Sequence, residues 1–194
     1  MKKELLIIFC GIVLMAILVG CGSARTSPPT VTAEKTGLSP GPISEPTSPD
    51  WRSFPLTDVS SGEAFKISDF AGKMVLVESF AVWCPVCTKQ QQEIKKLHEE
   101  NENSENESIS ISLDTDPNED EQKVLEAVQE RGFTWRFAVS PAELTKLLID
   151  EFGPAIVNAP FAPVILVCEN QSARLLGRGS KSAEELKAEI ERGC

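Results

Sequence analysis

Residues 74–87, MVLVESFAVWCPVC, join a short apolar run to a closely spaced pair of cysteines. The run at 74–80 has the length and composition of a buried strand. Cys84 and Cys87 follow it, and we predict a helix over roughly 85–100. Because only two residues separate the cysteines, both sulfurs would meet at the first turn of that helix. The unpaired N–H groups and the positive dipole end of such a turn stabilise a thiolate.

A dithiol of this kind can carry out thiol–disulfide exchange. One thiolate attacks a substrate disulfide, and the second cysteine resolves the mixed disulfide that forms. We assign Cys84 as the nucleophile and Cys87 as the resolving cysteine. Zinc binding and a purely structural disulfide are alternatives for this spacing, but a zinc site usually has a second ligand pair. Cys168 and Cys194 are not so spaced and His98 is the only histidine, so we expect no metal.

Strand and helix patterns alternate through residues 51–194, which we assign to one folded domain. The turn-rich Ser60-Ser61-Gly62 predicts an opening hairpin. Further strands are predicted at 109–113, 133–139, 164–168 and 173–177. Capping sequences predict helices that start at Asp116-Pro117, at Ser140-Pro141 and at Ser182. This order predicts an α/β fold with helices on both faces of the sheet, the last two strands being antiparallel.

The stretch from Phe54 to Cys87, FPLTDVSSGEAFKISDFAGKMVLVESFAVWCPVC, resembles the thioredoxin superfamily, specifically its membrane-anchored TlpA/ResA-type (redoxin) branch. The opening hairpin, the Gly-Lys before the strand and the Trp-Cys-x-x-Cys motif carry the resemblance. Residues 109–116 and the two helices after them match the usual insertion of that branch. The resemblance implies a thioredoxin-like three-layer α/β/α fold with a mixed central sheet and an N-terminal β-hairpin. It also implies thiol–disulfide oxidoreductase activity on protein substrates, without a dissociable cofactor.

The resemblance implies further site residues. The family places a cis-proline opposite the cysteines and just before an apolar strand, where this chain has Pro163. In the family that proline exposes the backbone of the preceding residue, here Ala162, to substrate. Pro160 is the alternative for this role. Trp83 is expected at the rim of the site, and the intervening Pro85 and Val86 are also expected to contact substrate.

Glu78 lies where thioredoxins carry a buried acid beneath the active site. A carboxyl inside an apolar strand has a raised pKa, and it could relay a proton to or from Cys87. The alternatives are a side chain that reaches the edge of the strand or one that pairs with Lys73.

The chain departs from the family pattern in two places. Residues 153–159 lengthen the connection before the apolar strand and form either a substrate-facing loop or a slack connection. Val164 stands where the family commonly has threonine, which leaves the choice of substrate open. We expect Cys168 to be an inert buried thiol. Its pairing with Cys194 is possible but not favoured, because a sequence cannot show whether two cysteines are within reach.

The N-terminal segment reads as a targeting signal. Lys2 and Lys3 precede an uncharged apolar run at 5–19, as in a signal peptide. The following Leu18-Val19-Gly20-Cys21 resembles the lipobox of lipoproteins, in which the cysteine is acylated. We therefore predict a lipoprotein signal over 1–21, an uncleaved anchor helix being the alternative. Residues 22–50, rich in Pro, Ser and Thr, are predicted to be a disordered linker that holds the domain off the membrane. Both interpretations of the leader tether the domain outside the cytoplasm.

The composition limits the partners. A formal net charge of −10 argues against nucleic acid, because phosphate binding needs concentrated Lys and Arg. We expect a monomer whose partners are protein thiols or disulfides and a membrane thiol protein that donates or accepts electrons. A thiol peroxidase would carry a Pro-x-x-x-Thr-x-x-Cys pattern, which is missing. A copper-binding module on the same scaffold would need a distal histidine, and none follows His98.

Overall fold

A computed structural model describes residues 50–101 and 108–194. The central sheet has five strands: β3 (Val75–Phe80), β4 (Ile109–Asp114), β5 (Arg136–Val139), β6 (Val164–Val167) and β7 (Ala173–Leu175). A separate hairpin, β1 (Leu56–Thr57) and β2 (Ala64–Phe65), precedes it. The helices are α1 (Pro85–Asn101), α2 (Glu121–Arg131), α3 (Ala142–Phe152) and α4 (Ala183–Arg192). In this part of the chain, no helix is long and apolar enough to cross a membrane.

The sheet is mixed, with the strand order β5-β4-β3-β6-β7. Strands β3, β4 and β5 are parallel, while β6 runs antiparallel to β3 and β7 antiparallel to β6. The predicted antiparallel pair at the end of the chain is therefore confirmed. β3 lies in the middle of the sheet, and Cys84 and Cys87 follow its carboxyl end directly.

Alternate residues of β3 face two separate cores. Leu76 and Phe80 pack with apolar side chains of α1, α2 and α4 on one face. Val75 and Val77 pack with side chains of α3 and the N-terminal hairpin on the other face. The period of two places Glu78 on the same face as Leu76 and Phe80, beneath α1. The predicted three-layer α/β/α fold is confirmed.

The helix starts agree with the capping signals in part. Ser182 caps α4 as predicted, in a capping box with Glu185. α2 begins later than the Asp116-Pro117 signal indicated, because Asp120 is its N-cap and accepts a hydrogen bond from the Lys123 N–H. The side chain of Asp116 instead accepts from the Asn118 N–H, which forms a turn ahead of the helix. Gly132 ends α2 with a φ of 65°, the left-handed conformation typical of a glycine cap.

The expectation for the two C-terminal cysteines is wrong. Cys168 and Cys194 form a disulfide with a Cα–Cα distance of 6.0 Å. The reason is the course of α4, whose last turn lies beside the β6–β7 hairpin. Arg174 on β7 donates to the carbonyl oxygens of Gly193 and Glu189 and so holds this end of the chain in place. Cys168 is therefore half of a covalent link between the sheet and the end of α4.

Candidate redox active site

The two cysteines meet at the turn between β3 and α1. The Cys84 N–H donates to the Ala81 carbonyl over 3.1 Å, which closes the turn, and Pro85 begins the helix. Proline suits a first helical position because the N–H it lacks would have no helical partner. Cys87 Sγ lies 2.7 Å from Cys84 Sγ, and the Cys87 N–H donates to Cys84 Sγ over 3.2 Å. Both cysteines are free thiols and are buried, so the structure brings together the pair that the sequence predicted.

The second cysteine is held in an apolar and negatively charged environment. Burial raises the pKa of the Cys87 thiol far above its ordinary value, and the hydrogen bond to Cys84 and the charge of Glu78 raise it further. Its thiol proton is also within reach of the Ala159 carbonyl oxygen, 3.2 Å from Cys87 Sγ. Cys87 is therefore protonated at neutral pH, and it needs a base before it can attack a disulfide.

Glu78 is fully buried on the α1 side of β3. Ser112 Oγ donates to Glu78 Oε2 over 2.7 Å, and Trp135 Nε1 donates to Ser112 Oγ over 3.0 Å. Oε1 has no hydrogen-bond partner in the described part of the chain. Burial raises the pKa of Glu78 to about 8, against the smaller lowering effects of Ser112, Gln91 and Lys181. The structure excludes both alternatives for Glu78. Its strand is central and not at an edge of the sheet, and its hydrogen-bond partner is Ser112 and not Lys73.

A second buried charge lies in the same region and was not predicted. Lys181 Nζ donates to the carbonyl oxygens of Ala162 and Gly179, over 2.8 Å and 2.6 Å. Burial lowers the pKa of Lys181 to about 8, while the nearby charge of Glu78 acts in the opposite direction. The Lys181 backbone also exchanges two hydrogen bonds with the Gln90 side chain on α1. Nothing in the local sequence distinguishes Lys181 from the exposed lysines.

The structure corrects the predicted cis-proline. No peptide bond of residues 50–101 and 108–194 is cis, so the bond before Pro163 is trans. Ala162 ends a 3-10 turn at Ala159–Phe161 and has a φ of 44° in the left-handed region. This residue reverses the chain, which then enters β6 with a trans bond. Its N–H donates to the Ala159 carbonyl and its own carbonyl accepts from Lys181, so its backbone is not open to substrate. Ala159, which precedes Pro160, contacts Cys87 instead.

A cavity of about 490 Å³ opens beside Trp83 and Ala159, next to the two cysteines. Three segments line it: 81 and 83 before the cysteines, 115–117 after β4, and the stretch that contains Pro154 and 157–160. Trp83 is 58% exposed, the highest exposure of any large apolar side chain in the described ranges. Its Nε1 donates to Asp116 Oδ2 over 2.6 Å. The lengthened connection before β6 therefore lines this cavity.

Two carboxyls near this cavity were also missed by the sequence reasoning. Asp114 is fully buried at the end of β4, where burial raises its pKa to about 7 and the neighbouring Glu119 and Asp116 raise it further. The hydrogen bond from Trp83 lowers the pKa of Asp116. These carboxyls do not form a metal site. Among residues 50–101 and 108–194, no cluster of three or more His, Cys, Asp or Glu side chains is arranged to hold an ion.

Comparisons with known proteins agree with this geometry. The family model described as Redoxin matches residues 44–161. No match to the chain was found among curated proteins. Solved structures share the fold. A putative protein disulfide isomerase from Bacteroides thetaiotaomicron is 23% identical, with a TM-score of 0.56 over 72% of this chain and 82% of that one.

Two further structures are similar at lower identity. A secreted disulfide oxidoreductase from Mycobacterium tuberculosis is 15% identical, with a TM-score of 0.54 over 73% of this chain and 97% of that one. An exposed lipoprotein thioredoxin from Streptococcus pneumoniae is 17% identical, with a TM-score of 0.53 over 72% and 98%. These likenesses show the thioredoxin-like fold, and the family match covers more than half of the sequence. The chain belongs to the Redoxin family.

Proposed function

We propose that this protein is an extracytoplasmic enzyme that exchanges disulfides with protein substrates through Cys84 and Cys87. The observation that carries the proposal is the 2.7 Å approach of the two sulfurs at the first turn of α1. Free thiols at this distance form a disulfide with little movement, because a disulfide bond is about 2.05 Å long. Cys84 Sγ at the start of α1 also accepts a hydrogen bond from the Cys87 N–H over 3.2 Å, which fixes its position in the turn.

The proposed reaction transfers two electrons in two steps. The Cys84 thiolate attacks one sulfur of a substrate disulfide, and the other substrate sulfur leaves as a thiolate that takes up a proton. Cys87 then gives its proton to ionised Glu78 and attacks Cys84 Sγ. The mixed disulfide breaks, and the second substrate sulfur leaves as a thiolate that takes up a proton from solvent, while Glu78 returns its proton to solvent. The enzyme ends as a Cys84–Cys87 disulfide and the substrate as two thiols, and the same steps in reverse oxidise a dithiol.

Glu78 suits the role of base because it is buried close enough for its charge to raise the pKa of Cys87. Its charge already influences the Cys87 thiol, and its pKa of about 8 allows both protonation states near neutral pH. A general acid or base works best when its pKa lies near the working pH. Ser112 holds one carboxylate oxygen, while the other has no partner in the described residues and is left for proton transfer.

Substrate contacts are proposed for the exposed residues around the cysteines. Trp83 and Pro85 are exposed and Val86 is partly exposed, so an extended segment of a protein could lie across them. Pro160 lines the neighbouring cavity and replaces the buried Pro163 in this role. The mostly apolar cavity of about 490 Å³ suits a polypeptide segment that has an apolar side chain beside its cysteine.

The cellular location is proposed from the leader, which lies outside the described residues. We infer that 1–21 is a lipoprotein signal, that Cys21 is acylated and that 22–50 is a linker. The secreted and lipoprotein neighbours named above support this placement. A membrane thiol protein would then supply or accept electrons. A Cys21→Ala variant tests the anchor, because it should fail to incorporate labelled palmitate and should shift to the soluble fraction.

Reduction of insulin disulfides tests the exchange activity. We expect the wild-type domain to reduce insulin in the presence of dithiothreitol and Cys84→Ser to lose the activity. The double variant Cys168→Ser/Cys194→Ser is the matched control, because it removes two cysteines away from the site and should stay active. Equal rates for wild type and Cys84→Ser would end the proposal.

A further inference from the structure

The turn between β3 and α1 has backbone groups that neither element satisfies. The bond from Cys84 N–H to the Ala81 carbonyl closes the turn and leaves Val82 and Trp83 at its centre. The N–H and C=O of Val82 take no part in that bond. A backbone polar group that is neither solvated nor paired destabilises the fold, so such groups need other partners. In this protein, side chains of a distant segment supply them.

Glu119 supplies the first partner. Its Oε2 accepts a hydrogen bond from the Val82 N–H at 2.6 Å. The Glu119 side chain is 1% exposed, and its Oε1 forms a salt bridge of 2.7 Å with Lys123 Nζ. Hydrogen bonds to an ionised acceptor are shorter and stronger than neutral ones. The bond therefore holds the N-terminal half of the turn firmly against the segment that precedes α2.

Arg131 supplies the second partner from the last residue of α2. Its Nη2 donates to the Val82 carbonyl oxygen at 3.0 Å. Glu119 lies just before α2 and Arg131 ends it, so both contacts come from the segment around one helix. Val82 is held between a carboxylate and a guanidinium, each bonded to the backbone group of complementary polarity. We call these two contacts the Val82 clamp.

The orientation of Trp83, the residue after Val82, depends on the Val82 clamp because its exposed side chain is not held by packing. Trp83 is 58% exposed, and its one side-chain hydrogen bond runs to Asp116. An exposed side chain keeps its direction only if its backbone and its polar group are fixed. The next residue is Cys84, whose sulfur must face a substrate disulfide. The orientation of the substrate-facing indole therefore follows from the orientation of the turn.

We propose that Glu119 and Arg131 are positioning residues for disulfide exchange, which hold the Val82 turn so that the exposed Trp83 contacts a protein substrate whose disulfide reaches the neighbouring, buried Cys84. The inference rests on the proposed function, since it concerns the same site. It predicts that loss of the clamp reduces reaction with a protein disulfide more than reaction with a small reagent. A small reagent needs only the sulfur, whereas a protein needs the sulfur and the indole together.

The experiment compares variants that remove the clamp with variants that keep it. Glu119→Ala and Arg131→Met remove the acceptor and the donor. Glu119→Gln and Arg131→Lys each retain a group of the same polarity. Glu126→Ala is the matched control, because Glu126 is an exposed glutamate of α2 whose side-chain bond is to Gln122. For each protein, kcat and KM are measured for insulin reduction, the alkylation rate of Cys84 is measured with iodoacetamide, and hydrogen exchange of the Val82 amide is followed by NMR.

We expect kcat/KM for insulin to fall by about tenfold in Glu119→Ala and Arg131→Met, with the alkylation rate within about twofold of wild type. Glu119→Gln and Arg131→Lys should recover most of the loss, and Glu126→Ala should match wild type. Exchange of the Val82 amide should become faster in Glu119→Ala. Should Glu119→Ala unfold, Arg131→Met, whose side chain is partly exposed, provides the same test.

Two results would overturn the proposal: an unchanged kcat/KM in the clamp-removing variants, or a Glu119→Gln variant as defective as Glu119→Ala. A wild-type protein that reduces no protein disulfide would end the proposed function instead. Hydrogen exchange of the Val82 amide would then test the clamp by itself. The amide must exchange slowly in wild type and quickly in Glu119→Ala.

Discussion

The sulfur of Cys87 lies 3.2 Å from the carbonyl oxygen of Ala159, a residue 72 positions further along the chain. This contact places Cys87 between α1 and the 3-10 turn that leads to β6. Cys84 Sγ lies 2.7 Å from the same sulfur. Burial and the charge of Glu78 raise the pKa of the Cys87 thiol, so the two cysteines are expected to act in a fixed order.

That order can be tested by trapping the intermediate. We expect Cys87→Ser to accumulate a mixed disulfide between Cys84 and a protein substrate, because the resolving thiol is gone. Cys84→Ser should form no such adduct, since the raised pKa of the remaining Cys87 keeps that thiol protonated. Non-reducing electrophoresis and mass spectrometry would detect the adduct. The opposite result, an adduct in Cys84→Ser alone, would exchange the two roles.

Glu78→Gln should slow the resolving step and leave the first attack nearly unchanged. A glutamine cannot take the proton of Cys87, and general base catalysis typically contributes about 10²–10⁴-fold. We expect resolution to be at least about 100-fold slower. Wild-type resolution should speed up as the pH rises through about 8, where Glu78 ionises, and the variant should lack this inflection. Stopped-flow measurement of the two steps separates them, and an equal loss in both steps would contradict a relay to Cys87.

The buried carboxyls predict how stability depends on pH. The folded-state pKa values of Glu78 and Asp114, about 8 and about 7, lie above those of an unfolded chain. Between about pH 5 and 7 the folded protein therefore holds protons that the unfolded chain has lost. The free energy of unfolding should fall as the pH rises, by at most about 1.4 kcal/mol per pH unit for each group.

Urea unfolding at pH 5 and pH 7 checks this sign. Glu78→Gln and Asp114→Asn should each flatten the decline, because neither amide titrates. An exposed acid, Glu126→Gln, serves as the control and should leave the slope unchanged. A slope that is the same in all four proteins would show that these carboxyls are ionised in the folded state.

The disulfide between Cys168 and Cys194 should stabilise the domain without taking part in exchange. The two cysteines are 26 residues apart in sequence, and closing a loop of that size in the unfolded chain contributes about 3 kcal/mol. We expect the Cys168→Ser/Cys194→Ser variant to lose roughly that much free energy of unfolding in urea. Its insulin reduction at low temperature should stay close to wild type. A double variant as stable as wild type would show that the disulfide does not stabilise the domain.

Trp83 should matter for substrate and not for stability. Its side chain is 58% exposed, and surface substitutions usually change stability by less than about 0.5 kcal/mol. We expect Trp83→Ala to raise KM for insulin several-fold with little change in melting temperature. Trp83→Phe keeps the apolar ring but loses the bond to Asp116, so an intermediate KM is expected. Unchanged kinetics in both variants would remove Trp83 from the substrate surface.

Local patterns in the sequence determined the elements of this domain and its reactive pair. An apolar run of strand length, followed at once by two cysteines in helical spacing, placed Cys84 and Cys87 at the start of α1. Alternating strand and helix patterns predicted the three layers. Ser182 marked the start of the last helix. These signals succeed because burial periodicity and capping involve residues only a few positions apart.

Only the tertiary structure decided the contacts between distant segments. The Cys168–Cys194 link, the buried Lys181 beside Ala162, and the Val82 clamp each join residues far apart in sequence. The trans bond before Pro163 also follows from its surroundings, since the reversal of the chain at Ala162 sets the path into β6. Such contacts depend on how whole helices and strands pack against one another, and no local pattern of residue types records that packing.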